Sequence, residues 1–368
     1  MKARAAIMRA FNTPLSLEEV DIPPLEPGQV LVQVDVAGVC GSDVHMWRGH
    51  DPRTPLPIIL GHEGLGRVVD INGPKHDLNG RSIQPGDRIL WERGVTCGRC
   101  YYCAVLKQPS LCPHRWAYGI HRSFEQPPHL NGCYADHIIL DAATHLISLD
   151  GILADDDDPA PLVAASCSGA TAAHGFDLLP TRVGDTVVIL GPGPLGAFSV
   201  LLARAAGAAE IVVIGGTGPR LDLCARLGAT RVLNRRETEL SHRIEAVRDL
   251  THGRGADLVV EASGSIDAVR EGLDLVRRGG GLSLVGIGAP VGEMPLSPFE
   301  DVVQRNVRVQ GVWVSDVTHT LQAMALVRRY AADLEGFISH RFPLDQATAA
   351  LEAVAGRDAI KAVLVPGA

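Results

Sequence analysis

The chain has 368 residues, 46% of them hydrophobic and 21% charged, and a net charge of −8. That length accommodates two domains with cores of their own, in a composition typical of globular proteins. An acidic balance with no basic run excludes nucleic acid as the main partner, and no stretch of about 18 apolar residues is present to span a membrane. The first residues, Met1–Lys2–Ala3–Arg4–Ala5–Ala6, lack the apolar core of a secretion signal, so a cytoplasmic protein is expected. Of 8 cysteines, four crowd between Cys97 and Cys112. In a reducing compartment such crowding points to metal rather than to disulfides.

Residues 1 to about 160 read as β-rich. Val30–Val36 alternates as a half-buried strand does, and Gly64–Ile71, Ile89–Trp91 and Tyr134–Leu140 are further strands. Pro23, Pro24, Pro55 and Pro57 punctuate the loops, and Pro85–Gly86–Asp87–Arg88 is a turn. The pattern is that of a compact, barrel-like β domain. The acidic run Asp155–Asp158 reads as a solvated loop, and Pro161–Leu179, rich in alanine, as a helix.

From Asp185 the rhythm changes to strand, helix, strand. Thr186–Leu190 is a buried strand that ends in Gly191–Pro192–Gly193–Pro194–Leu195–Gly196, and a helix follows over Ala197–Ala206. The Gly-x-Gly-x-x-Gly spacing in this context aims backbone N–H groups and a helix N-terminus at a pyrophosphate. Gly191 makes the tight turn, Gly193 admits the phosphates, and Gly196 lets helix and strand approach. Strands at Glu210–Ile214, Asp257–Glu261 and Gly281–Gly286 alternate with helices at Arg220–Leu227, Leu240–Thr251 and Ile266–Val276. These units predict a doubly wound parallel sheet, with Val307–Gly311 at its edge. Helices at Val317–Tyr330 and Gln346–Ala355 and a buried strand at Ile360–Val365 complete the chain, and this tail is expected to return to the first domain.

Cys97, Cys100 and Cys103 stand two residues apart, and Cys112 follows. Four thiolates at this density suit a closed tetrahedral zinc site. A second set is dispersed: Cys40, with Ser42, Asp43 and His45 just beyond it; His62 and Glu63; and Cys167. Spacing alone does not join these residues.

The order of these motifs along the chain resembles the zinc-dependent medium-chain dehydrogenase/reductase superfamily, in its alcohol, polyol and threonine dehydrogenase branches. The resemblance rests on Gly38–His45, Gly61–His62–Glu63, Pro85–Arg88, the Cys97 cluster, the glycine fingerprint and the Lys361 tail. It implies an α/β protein in which a GroES-like β-barrel catalytic domain, residues 1–168 and 315–368, is interrupted by a Rossmann domain, residues 169–314. It implies two zinc ions per chain: a catalytic one on Cys40, His62 and Cys167, and a structural one on Cys97, Cys100, Cys103 and Cys112. Glu63 matches a carboxylate near the metal, and Asp43 a group that orients the histidine ligand. Ser42 and His45 match a proton relay. Lys361 matches a basic residue that meets the cofactor phosphates. The activity implied is hydride transfer between an alcohol, or its carbonyl, and NAD or NADP, in a homodimer or homotetramer.

Three departures from the family pattern sharpen this expectation. Eight residues separate Cys103 from Cys112, one more than the usual gap. Gly215 stands at the end of the second Rossmann strand, where NAD-specific relatives carry an acid, and Thr217 and Arg220 follow it. Both NAD and NADP remain open on that basis. Glu92 and Arg93 occupy a register where simple-alcohol enzymes are apolar, which suggests a small polar or anionic substrate, the alternative being that the two pair with each other or with Arg99. The competing readings are a zinc-free quinone or enoyl reductase of the same superfamily, and a non-catalytic nucleotide-binding protein on this scaffold.

Overall fold

A computed structural model describes residues 1–153 and 157–367. Asp155 and Asp156 of the acidic run lie outside the described residues; Asp158, two residues before the next helix, accepts from Ala160 N and pairs with Arg341 at 2.6 Å. The chain divides into two units, Met1–Cys167 with Ile338–Ala368, and Ser168–Phe337.

The first unit is built on strands, as the alternating segments predict, antiparallel except where Ile338–Phe342 pairs with Lys361–Leu364. Its larger sheet runs in the order Leu146–Ser148, Arg88–Trp91, Glu63–Ile71, Val30–Val39, Lys361–Leu364, Ile338–Phe342, with His137–Leu140 also on Val30–Val39. The central strand Val30–Val39 is one residue out of simple alternation in two places against Glu63–Ile71. These bulges bend it and aim its C-terminal end toward residues 40–47. Register then does the placing. Gly38 faces Glu63 on one side and Val363 on the other, so Cys40, Glu63 and Lys361 are brought together from three distant parts of the sequence. The smaller sheet pairs Lys2–Met8 with Ser16–Asp21 and Ile58–Ile59. Ile7, Ile59, Ile139 and Leu60 are fully buried between these layers.

The second unit holds a parallel sheet in the order Arg231–Asn234, Glu210–Gly215, Thr186–Leu190, Ala256–Glu261, Val276–Leu284, Arg308–Gly311. That is the dinucleotide-fold order, in which the first strand lies at the centre and the chain reverses beside it. Val187, Val188 and Ile189 are wholly buried, as a strand covered on both faces requires.

Two expectations are corrected. The strand Arg231–Asn234 was not foreseen; it is short and only half-buried, so its hydrophobic signal is weak. The helix Val317–Arg329 belongs to the second unit, where it packs on Ala170–Leu178, so the chain returns to the first unit at Ile338 and not at residue 315. Its buried residues, among them Ala323, Met324 and Val327, give it an apolar stripe that the second unit covers. The helix expected over Pro161–Leu179 is present as Ala160–Ala164 and Ala170–Leu178 joined by a wider π-helical turn, Ala165–Gly169. Such turns expel one residue from the regular ladder, and this one contains Cys167.

Candidate metal centre and nucleotide loop

Cys40 is the cap of a short helix, Gly41–Trp47, whose Asp43 folds back to accept a hydrogen bond from Cys40 N at 2.8 Å. The turn therefore fixes Cys40 and Asp43 as a unit. His62 and Glu63 open the strand Glu63–Ile71, and Cys167 stands on the wide helical turn. The ligand atoms of Cys40, His62, Glu63 and Cys167 all lie within 4.8 Å of one another. The sulfurs of Cys40 and Cys167 are 4.0 Å apart, and His62 Nε2 is 3.3 Å from Cys167 Sγ. Two thiolates at about 2.3 Å from a tetrahedral zinc would stand about 3.8 Å apart, so this donor set fits that ion.

The electrostatics suit a cation. Asp43 Oδ1 faces His62 Nδ1 at 3.2 Å, both side chains fully buried. That contact orients the ring with Nδ1 toward the carboxylate and Nε2 toward Cys167 Sγ, the orientation a ligating histidine needs. Burial alone would lower the His62 pKa, but Asp43 and the Cys40 sulfur outweigh it and raise it to about 10. The Cys40 thiol is drawn well down, first by its contact with Cys167; burial opposes this and His62 adds to it. Tyr134 O–H donates to the other Asp43 oxygen at 3.2 Å.

Glu63 does not stand alone behind this cluster. Lys361 Nζ donates to Glu63 Oε2 at 2.6 Å and to the Val39 carbonyl at 3.1 Å, with both side chains buried. A Cβ at Gly38 would stand 2.2 Å from Glu63 Oε2, so only glycine leaves room for the pair. This corrects the expectation for Lys361: it is 2% exposed and bound to a carboxylate beside the metal cluster, not presented to cofactor phosphates. Ser42 Oγ lies 3.2 Å from Cys40 Sγ. His45, exposed on the same helix, has a pKa lowered first by desolvation and then by His50. Among the described residues no direct hydrogen bond joins Ser42 to His45.

The second cluster is local. Cys97, Cys100, Cys103 and Cys112 bring their sulfurs within 4.8 Å of one another, and Cys112 lies 3.6 Å from Cys97. The longer gap to Cys112 is taken up by a wide turn at Tyr101–Val105 and a tight one at Pro109–Leu111. Cys97 is lowered to about 6, first by the Arg99 backbone N–H.

In the second unit, Gly191 has φ +117°, open to glycine and strained for any other residue. A Cβ at Gly196 would stand 1.9 Å from the Gly191 carbonyl, whereas one at Gly193 would meet nothing within 4 Å. The helix Pro194–Ala205 begins at this loop, with Pro194 and Leu195 in its first turn. A Cβ at Gly215 would collide with Pro192 at 2.4 Å, which explains why no acid stands there. Thr217 caps the helix Gly218–Leu227, which carries Arg220. Sequence reasoning missed Arg235 and Arg236. They follow the unforeseen strand, Arg235 N donates to the Gly215 carbonyl at 2.8 Å, and Arg236 Nε would stand 3.2 Å from a Cβ at Gly216. The signal was two adjacent arginines at a strand end.

Comparison with known proteins places the chain in a family. Residues 26–150 match the alcohol dehydrogenase GroES-like domain, and residues 194–329 match the zinc-binding dehydrogenase family. The chain is 36% identical to 5-exo-hydroxycamphor dehydrogenase of Pseudomonas putida, over 98% of both chains. It is 29% identical to an L-threonine 3-dehydrogenase of Chelativorans, over 95% of each. Its fold superposes on an alcohol dehydrogenase from Thermotoga maritima with a TM-score of 0.94 and 48% identity, covering 99% of both chains. It also superposes on a zinc-binding dehydrogenase from Sinorhizobium meliloti bound to NADP, with a TM-score of 0.84 and 28% identity over the whole of each chain. No helix among the described residues is long and apolar enough to cross a membrane. The chain belongs to the zinc-dependent medium-chain alcohol dehydrogenases, oxidoreductases that move hydride between alcohols and NAD(P).

Proposed function

We propose that this protein interconverts a small polar alcohol and its carbonyl at a zinc ion held by Cys40, His62 and Cys167, with NADP(H) as the hydride partner. The observation that carries this reading is the convergence of those three side chains, from residues 40, 62 and 167, in one cluster. Zinc supplies Lewis acidity there, lowering the pKa of the substrate hydroxyl. Asp43 holds His62 in the ligating tautomer. Ser42 receives the hydroxyl proton, and His45, exposed on the same helix, delivers it to solvent. Glu63 with Lys361 sets the charge behind the ligands. Cys97, Cys100, Cys103 and Cys112 hold a second, structural zinc.

Backbone N–H groups at Gly193, Leu195 and Gly196 cradle the pyrophosphate, while Gly191 shapes the turn with its own N–H donated to the Ile214 carbonyl at 2.9 Å. Arg235 and Arg236 are exposed beside Gly216 and, among the described residues, have no ion-pair partner. Together with Thr217 and Arg220, and with glycine at 215, they favour a 2′-phosphate over the bare ribose of NAD. The exposed Phe299, Val303, Val309 and Trp313, near the edge strand Arg308–Gly311, support assembly into a dimer or tetramer. A cytoplasmic location accords with eight unpaired cysteines.

Polar alcohols assayed with each cofactor test this reading. Turnover with NADP exceeding that with NAD by about 10-fold, lost in Arg235→Ala/Arg236→Ala, is expected. Equal use of both cofactors by wild type and variant contradicts the cofactor assignment.

A further inference from the structure

Two arginines with buried guanidinium nitrogens stand next to the metal cluster, and moving a hydride from a neutral alcohol requires neither. Arg93 follows the strand Arg88–Trp91 and is 6% exposed; its Nη1 donates to Cys167 Sγ at 2.7 Å. Arg115 comes from the segment after Cys112 and lies flat on Gly94. A Cβ at Gly94 would stand 2.3 Å from Arg115 Nη2 and 2.6 Å from its Cζ. The short ladder Gly94–Val95 with Trp116–Ala117 fixes this arrangement, and Tyr118 N donates to the Arg93 carbonyl at 3.1 Å.

Arg115 Nη2 is buried and has no hydrogen-bond partner among the described residues. Glu92 is nearby, its Oε1 accepting from Gly94 N at 3.3 Å, and both it and the Cys167 sulfur attract the Arg115 charge. Burial, and then the charge of Arg93, lower the Arg115 pKa to about 10. Leaving a buried cationic donor unpaired next to a like charge is unfavourable. A planar fork held in this way is the usual means of binding a carboxylate or phosphoryl group.

We propose that Arg93 and Arg115 form an oxyanion subsite, so that the substrate is an alcohol bearing a carboxylate or phosphoryl group near its reacting carbon. This rests on the reading of Cys40, His62 and Cys167 as the reaction centre. The chemistry is otherwise unaltered. The carbinol C–H bond breaks with its electron pair passing to the nicotinamide, the O–H proton leaves, the C=O bond forms, and the anion stays intact. Arg115 and Arg93 bind and orient it.

Two measurements test this. In the first, hydroxyalkylphosphonates and hydroxyalkanoates of two to four carbons are compared with their neutral esters as substrates. The expected kcat/KM favours the anion by about 10-fold or more, carried in KM, and this ratio falls about 10-fold in Arg115→Met with partial rescue in Arg115→Lys. A ratio near unity, or one that Arg115→Met leaves alone, overturns the proposal while the dehydrogenase reading stands. In the second, calorimetry follows methylphosphonate and acetate binding to the wild type and both variants. Binding weakened about 10-fold in Arg115→Met upholds the subsite even if no alcohol in the panel turns over, a result that would sink the functional reading alone. Equal affinities in wild type and Arg115→Met overturn it. The tighter of the two anions identifies phosphoryl or carboxylate.

Discussion

The two cysteine-containing clusters solve the same coordination problem in opposite ways. Cys97, Cys100, Cys103 and Cys112 lie within one loop, and three of the four are only partly buried. Cys40, His62 and Cys167 come from a helix cap, a strand end and a wide helical turn, and no short segment could hold them together. The first cluster is closed by four sulfurs, which leaves no position for a substrate. The second has two sulfurs and one imidazole, with a carboxylate that Lys361 occupies. A local cluster can stabilise its loop whatever the rest of the fold does. A dispersed one exists only when the whole first unit has formed, and it is the one with chemistry to offer.

The largest expected effect separates these roles. Cys40→Ser should lower kcat/KM by about 10³-fold or more with little change in melting temperature. Cys103→Ser should do the reverse, lowering the melting temperature on the order of 10 °C as its loop loses the ion. Calorimetric melts beside steady-state rates decide this, and similar effects from both variants would erase the distinction.

Next comes the buried pair behind the dispersed cluster. Lys361→Met leaves Glu63 charged and unpaired, and should cost about 3–5 kcal/mol in urea unfolding. Glu63→Gln with Lys361→Met should recover a good part of that loss. A single variant as stable as wild type would mean that the pair has no structural weight.

The smallest effect concerns pH. Burial, and then Arg115 and Arg53, press the His121 pKa from 6.5 down to about 4, while Ala117 N donates to its Nδ1 at 3.0 Å. The unfolded chain therefore takes up a proton near pH 6.5 that the folded chain refuses. Stability from this group is fully present above 6.5 and is lost as pH falls from there through about 4. His121→Asn should flatten that part of the stability profile; an unchanged slope between wild type and variant would show that His121 does not contribute.

Much of this was legible in the sequence where the signal is local. The strand Thr186–Leu190, its glycine loop and the four crowded cysteines all announce themselves by periodicity or spacing. The fold's edges did not. Arg231–Asn234 is half-exposed and begins with a charge, so alternation could not mark it, and the arginines after it went unnoticed. The helix Val317–Arg329 was recognised but assigned to the wrong unit, because an apolar stripe says that a helix is covered and not by what. Lys361 follows the same logic. Its place in the chain suggested phosphates, while strand register brings it against Glu63. The dispersed ligands needed resemblance to join them, since Cys40 and His62 meet through the bulged pairing of Val30–Val39 with Glu63–Ile71 and Cys167 joins them through the helix Ala160–Ala164 packed on those strands.

Zinc counted per chain by mass spectrometry tests the central claim most directly, with wild type beside Cys40→Ser and Cys97→Ser. Two ions in the wild type and one in each variant are expected, matching the two clusters. One ion in the wild type, retained in Cys40→Ser and lost in Cys97→Ser, would contradict a metal centre at Cys40, His62 and Cys167.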